Sequence, residues 1–361
     1  MKIKENIIQV RPRENSGPIA SNRFDFQKNW AICKILELHQ KPDDYMLTLE
    51  YFDDIIVFDS SSDPKKISFF QVKTNKSPNW TLNSLTARKK GKNGLLNSHL
   101  GNLYDHLEKF GDAVETLNFV TNNKIKGILN NNIKCEDTDE FCCSNLEKGA
   151  LDKIIVDLKL EHSLNTLKAF EKITYFKLGE LSIDKHTELT KALLADFLDN
   201  NLPTVKYQIA PLYKSIFDEI RKKSNFEKTI LNFEELKLKK SVSRKDFDSY
   251  INELKKTEDF KSVRTSIENR LNAEKVGFDK IKLFLKHSSI YEIKRMNYND
   301  KYLLNIENKI NELIKKNTID FSNGLYNCME QVYSNSTELI ADNSTIDSEM
   351  IKVIILHKLY E

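Results

Sequence analysis

Glycine is scarce, with 10 residues in a chain of 361. Sheet domains rich in tight turns draw on glycine for positive-φ positions, so this scarcity favours helices over a chain made mainly of strands and turns. Long apolar runs are missing: none approaches the roughly 20 residues that cross a bilayer. The opening stretch Met1-Lys2-Ile3-Lys4-Glu5-Asn6 lacks the apolar centre of a signal peptide. Together these predict a cytoplasmic protein. Cysteine is sparse, and the 5 residues (Cys33, Cys135, Cys142, Cys143, Cys328) include no C-x-x-C pair. An odd count argues against a disulfide framework, and adjacent cysteines make poor tetrahedral zinc ligands. The 7 histidines form no H-E-x-x-H pattern. There is no G-x-x-x-x-G-K-S/T or G-x-G-x-x-G loop for a nucleotide and no G-x-S-x-G nucleophile elbow. Sustained heptads and fixed-period repeats are absent as well. Excess charge is also lacking: a net +3 is too small to argue for a nucleic-acid partner by itself.

What is present centres on Leu49-Glu50-Tyr51-Phe52-Asp53-Asp54-Ile55-Ile56-Val57-Phe58, followed by Ile67-Ser68-Phe69-Phe70-Gln71-Val72-Lys73. The pattern predicts two adjacent strands joined by a polar turn over 59–66. Both faces are largely apolar, as in buried central strands. A buried strand should avoid unpaired charge, yet an acid begins the first strand, and Gln71 and Lys73 end the second. An acid, an amide and a lysine at the ends of paired strands suit a divalent metal beside a phosphate. Carboxylate and amide oxygens are hard ligands, and a lysine can hold an attacking water or steady charge on phosphoryl oxygens. Of the neighbours Asp53 and Asp54, only one can easily face such a site. Glu50 is a further candidate acid, or a solvent-facing or lysine-paired residue. Arg88, Lys89, Lys90 and Lys92, with Lys76 and Trp80 upstream, form a basic cluster. It reads either as a polyanion-binding loop or as a solvated one.

The ordered set Ser16-Gly17, Arg23-Phe24-Asp25-Phe26-Gln27, Leu49-Glu50-x-x-Asp53-Asp54-Ile55-Ile56-Val57 and Phe70-Gln71-Val72-Lys73 resembles the nuclease domain of CBASS-type double-strand DNA endonucleases. That domain also occurs in nuclease subunits of Lamassu-type anti-phage systems. The resemblance covers roughly residues 10–125 and implies a restriction-endonuclease-like fold. The usual Glu-x-Lys is replaced here by Gln71-x-Lys73. By resemblance, Asp54, Gln71 and the Val72 carbonyl would hold Mg²⁺ (or Mn²⁺), Lys73 would act on water, and Glu50 and Gln27 would support them. Gln27 reads otherwise as a surface glutamine. The resemblance further implies double-stranded DNA as substrate, an SMC-like ATPase and accessory defence subunits as partners, and a homo-oligomer when active. Other readings are a catalytically degenerate scaffold, a nuclease triggered by a cyclic oligonucleotide, and an RNA nuclease.

Along the chain, Ile7–Val10 reads as a short strand or arm. A helix is predicted over Arg23–His39, strands over Tyr45–Phe52, Ile55–Phe58 and Ile67–Lys73, a helix over Leu95–Phe110 and a strand over Leu117–Asn122. Beyond a polar connector, helices are predicted, among them Cys143–Leu160, His162–Phe176, Ile183–Asn200, Arg244–Lys256, Asp259–Ala273, Asn299–Asn317 and Ser348–Tyr360. The expected architecture is α/β plus all-α. A mixed sheet flanked by helices occupies 1–125, and a helical domain for regulation or assembly occupies 126–361.

Overall fold

The computed structural model describes residues 16–360 apart from 77–78, 93, 204, 206, 296–300, 317–318 and 337–345, and apart from the side chains of 16, 253–259 and 301. The predicted arm at Ile7–Val10 lies outside the described residues. The chain forms two compact units, Met1–Phe197 with Phe217–Arg244, and Leu198–Ile216 with Lys245–Glu361.

The first unit holds the mixed sheet. Helix α1 (Ser16–His39) leads into β1 (Met46–Leu49), β2 (Ile55–Phe58) and β3 (Ile67–Lys73), then α2 (His99–Phe110) and β4 (Val114–Thr121). Next come β5 (Glu140–Cys142), α3 (Lys148–His162), β6 (Thr174–Leu178) and α4 (His186–Asn201). After α5 (Ile209–Ser224), α6 (Phe233–Lys240) and β7 (Ser241–Ser243) return to the sheet. The strand order is β7-β1-β2-β3-β4-β6-β5. β3–β4 and β4–β6 are parallel, and the other pairs are antiparallel. The expected division after residue 125 falls inside this sheet, because β5, β6 and β7 all come from later chain.

Several elements differ from expectation. α1 starts at Ser16 rather than Arg23. Pro18 sits in its first turn, where a missing N–H costs nothing. β1 stops at Leu49 instead of Phe52, because Glu50 takes a left-handed conformation (φ 47) and turns the chain. α2 begins at His99 rather than Leu95: Ser98 caps it, its Oγ accepting from the Gly101 N–H. The stretch 162–176 was expected to be helical. Instead α3 ends on Ser163 in a left-handed conformation, and Thr174-Tyr175-Phe176 pair with β4. β-branched and aromatic residues favour that pleated setting. The two helices expected over 244–273 are one, Arg244–Ala273, as no Gly or Pro interrupts it.

α1 covers one face of the sheet, with Trp30 against Phe70, centroids 5.4 Å apart. α2 and α3 cover the other, where Leu100, Leu103, Leu107, Ile154 and Leu158 join Phe69, Leu117 and Phe119 in one apolar core.

The second unit is helical: α7 (Arg244–Ala273), α8 (Phe278–Arg295), α9 (Lys301–Lys316), α10 (Leu325–Ser334) and α11 (Ser348–Tyr360). Met350, Ile351, Val353, Ile354, Ile355 and Leu356 of α11 are all buried. A helix apolar on every side belongs in a core, and α11 packs against α8, α9 and α10. Among the described residues, no helix is long and apolar enough to cross a membrane.

Candidate active site

The three sequence motifs meet where β3 ends and β2 begins. Ile55 faces Phe70 in the antiparallel register, so continuing it by one residue sets Asp54 across from Gln71. Asp54 Oδ2 accepts the Val72 backbone N–H at 2.8 Å and lies 3.0 Å from Lys73 Nζ. Burial raises the Asp54 carboxyl above the usual carboxylate range, Lys73 pulls it back down, and Asp53 adds to the rise. An ion pair this sheltered is held by its geometry, since removing either partner would strand the other charge.

Gln27 reaches across from α1. Its Nε2 donates to the Val72 carbonyl at 2.9 Å, and its Oε1 is buried without a partner. Glu50 follows β1, and its own N–H donates to the Asp54 carbonyl at 3.0 Å. Desolvation and the nearby Asp54 charge push the Glu50 carboxyl up to about 7, against the pull of Lys73, Lys240 and Lys28. The residue keeps an exposed edge, through which water moderates that effect. Gln71 is buried beneath α2, with Oε1 accepting from His99 Nδ1 at 3.2 Å. Burial, then Lys73 and Lys89, hold the His99 imidazole down to about 4, so it is neutral at pH 7.

The structure thus brings Asp54, Lys73, Val72, Gln27 and Glu50 together and places Gln71 against His99. Of the basic residues, Lys90 lies in a two-stranded hairpin, Lys90–Gly91 with Gly94–Leu95; Arg88 and Lys89 come just before it, Lys92 lies in its turn and Lys76 is further upstream. Lys76, Lys89, Lys90 and Lys92 are exposed. Arg88 is partly engaged with the protein, its Nε donating to the Leu96 carbonyl and its Nη2 to that of Leu95.

Sequence reasoning missed three residues. Lys240 donates to the Glu50 carbonyl at 2.7 Å and pins the β1–β2 turn, but it comes from α6, some 190 positions away. His99 and His106 lie seven apart on α2, a spacing that places both on one helical face and was there to be read.

A hard cation fits the donors present. Two carboxylates crowd each other, an amide oxygen is buried without a partner, and a main-chain carbonyl adjoins them. All are oxygen donors of the kind Mg²⁺ takes. Among the described residues, no three His, Cys, Asp or Glu side chains gather as a metal site would need. Amide and main-chain oxygens would therefore have to contribute.

Residues 15–224, more than half of the chain, match the family described as Cap4, dsDNA endonuclease domain. The chain belongs to this family. The match takes in strands β1 to β6 of the sheet and leaves β7 outside it. The whole chain is also similar to the Lamassu protein LmuA of Bacillus cereus (strain VD014), at 25% identity over 97% of this chain and 88% of that protein. No solved structure matches it.

Proposed function

We propose that this chain is the nuclease of a Lamassu-like anti-phage system. It would be a Mg²⁺-dependent endonuclease that hydrolyses double-stranded DNA with low sequence specificity and is held inactive until partner proteins trigger it. The observation that carries the reading is the Lys73–Asp54 pair fixed to the Val72 N–H at 2.8 Å, in a chain of the Cap4 family. Asp54, Glu50 and the Val72 carbonyl would hold the ion; of the two amides, Gln27 Oε1 has no partner and is available to it, while Gln71 Oε1 would join on leaving His99. When bound, Mg²⁺ or Mn²⁺ polarises a phosphoryl oxygen and acidifies a water. Lys73 orients the attacking water and offsets charge on the phosphoryl oxygens. A neutral amide is a weaker ligand than a carboxylate, so metal affinity is modest until substrate phosphate completes the shell, which suits an effector that stays silent until called. Lys76, Lys89, Lys90 and Lys92 would contact backbone phosphates.

The likeness to LmuA motivates a partner set of an SMC-like ATPase and accessory subunits, a homo-oligomer when active, and a cytoplasmic setting. One such site cuts one strand, so a double-strand break needs two. The test incubates the full chain, alone and with its partner subunits, with supercoiled plasmid, linear duplex and matched RNA in Mg²⁺. Cutting of DNA that falls about 10²-fold or more in Lys73→Ala is expected. Equal cutting by both removes Lys73 from the mechanism, cutting of RNA alone favours an RNA nuclease, and no cutting under any condition favours a scaffold.

A further inference from the structure

Behind Asp54 stands a buried pair that the proposed chemistry does not use. Asp53 Oδ2 and His106 Nε2 are 3.0 Å apart, and both side chains are 5% exposed. The His106 ring lies flat on Phe69, with centroids 4.1 Å apart and planes at 10°. The other oxygen of Asp53 accepts the backbone N–H of Asp54 at 2.9 Å. One carboxylate therefore ties α2 to the bend that leads into β2.

That bend needs a tie. Asp54 precedes the first paired residue of β2, so its N–H has no ladder partner, and Asp53 supplies one. The Asp54 carbonyl is taken by the Glu50 N–H, and its carboxylate by Val72 and Lys73. With the Asp53 bond added, the peptide and side chain of Asp54 are held from four directions. For the fold alone, an apolar pair of similar volume would pack against Phe69 at least as well, because a buried carboxylate and imidazole are costly to desolvate. What the pair adds is a fixed orientation of the Asp54 peptide.

We infer that Asp53 and His106 are positioning residues that hold the Asp54 carboxylate in register with Lys73 and the Val72 N–H, carrying the placement of α2 into the site. The inference rests on the nuclease reading, in which Asp54 is a metal ligand.

The test measures Mn²⁺ binding by electron paramagnetic resonance on the full chain without DNA, alongside thermal unfolding and plasmid cutting. His106→Phe keeps a ring over Phe69 and removes the donor. His106→Gln restores an amide donor. Asp53→Asn keeps an acceptor for the Asp54 N–H, and Asp53→Ala does not. His106→Phe is expected to weaken Mn²⁺ binding about tenfold, the range found when a group supporting a metal ligand is lost. His106→Gln should recover most of that, and Asp53→Asn should lie closer to wild type than Asp53→Ala. Ile154→Val, a buried change on α3, should lower unfolding temperature without moving Mn²⁺ binding. If His106→Phe unfolds, the double variant with Asp53→Asn leaves no unpaired buried charge and carries the same expectation. Wild-type Mn²⁺ binding in His106→Phe, or no recovery in His106→Gln, overturns the positioning role while leaving the nuclease reading intact. A wild-type chain that binds no Mn²⁺ with or without duplex DNA, and cuts nothing even with its partner subunits present, overturns both.

Discussion

Asp54 concentrates most of what the site requires of one side chain. It is paired to Lys73, bonded to Val72 and crowded by Glu50. The Glu50 carboxyl, raised from 4.5 to about 7, holds its proton longer in the folded chain than in the unfolded one. Without metal, folded-state stability should therefore decline as pH rises from 4.5 through 7, because the unfolded state sheds that proton first. A cation at Glu50 competes with the same proton, so binding releases it and apparent Mn²⁺ affinity should climb from pH 6 to pH 8. Mn²⁺ titrations at three pH values check this, and an affinity independent of pH would take Glu50 out of the ligand set. Gln27→Ala removes the donor to the Val72 carbonyl, a bond worth about 1 kcal/mol net. It should lower urea-unfolding stability by that order and raise the Mg²⁺ needed for half-maximal cutting. Polar residues at the ends of apolar strands make Asp53 or Asp54, Gln71 and Lys73 stand out in the sequence, and the resemblance is what favours Asp54. The pairing of Asp53 with His106 was not legible there, since the two lie 53 positions apart and no local pattern joins them.

α2 and the hairpin before it decide how the site meets its surroundings. Glu161 of α3 caps α2, with Oε1 accepting the Ser98 N–H and Oε2 the Ser98 hydroxyl, each at 2.7 Å. Gly101 makes room for that carboxylate: a Cβ there would come within 2.0 Å of Glu161 Oε1. Gly101→Ala should displace Glu161 and cost about 1 kcal/mol of capping. It should also loosen His99, which circular dichroism melts and DNA cutting would register together. The exposed Lys89, Lys90 and Lys92 predict a different signature. Each change to alanine should weaken DNA binding evenly across sequences and reduce the slope of log affinity against log salt by about 1. An unchanged slope in the triple variant would mean the cluster is merely solvated. The helical start at Leu95 was misjudged because apolar spacing continues through a hairpin, whereas the Ser98 cap was the better signal.

Among the described residues, one apolar cluster surrounds the sheet and another surrounds α11, in a chain that divides into two compact units. Calorimetry should accordingly depart from a single two-state transition, with a van't Hoff enthalpy below the calorimetric one. Ile354→Ala, at a fully buried position of α11, should cost about 2–5 kcal/mol and act on one component only. His357 adds a pH dependence. Its ring stacks on Phe260 at 4.1 Å, and its Nε2 lies 2.8 Å from Ser288 Oγ. Burial, then Arg295, Lys358 and Arg264, hold it down from 6.5 to about 3. The unfolded state takes a proton that the folded state refuses. Stability is thus full above 6.5 and falls as pH drops from 6.5 toward 3, by at most about 1.4 kcal/mol per pH unit. His357→Phe should flatten that acid limb in urea-melt midpoints.

Local sequence determined the β2–β3 hairpin, the helical character of the chain beyond Arg244 and the motif residues at the site. These depend on side-chain period, turn composition and caps within a few residues of one another. Tertiary structure alone decided that β7 and Lys240, some 190 positions downstream, would close the edge beside β1 and pin the turn at Glu50. It also decided that Thr174–Leu178 would be a strand beside β4, and that His106 would reach Asp53. Period shows which face of a segment is apolar, but not which distant segment will cover it. That choice is made by the packing free energy of the whole sheet.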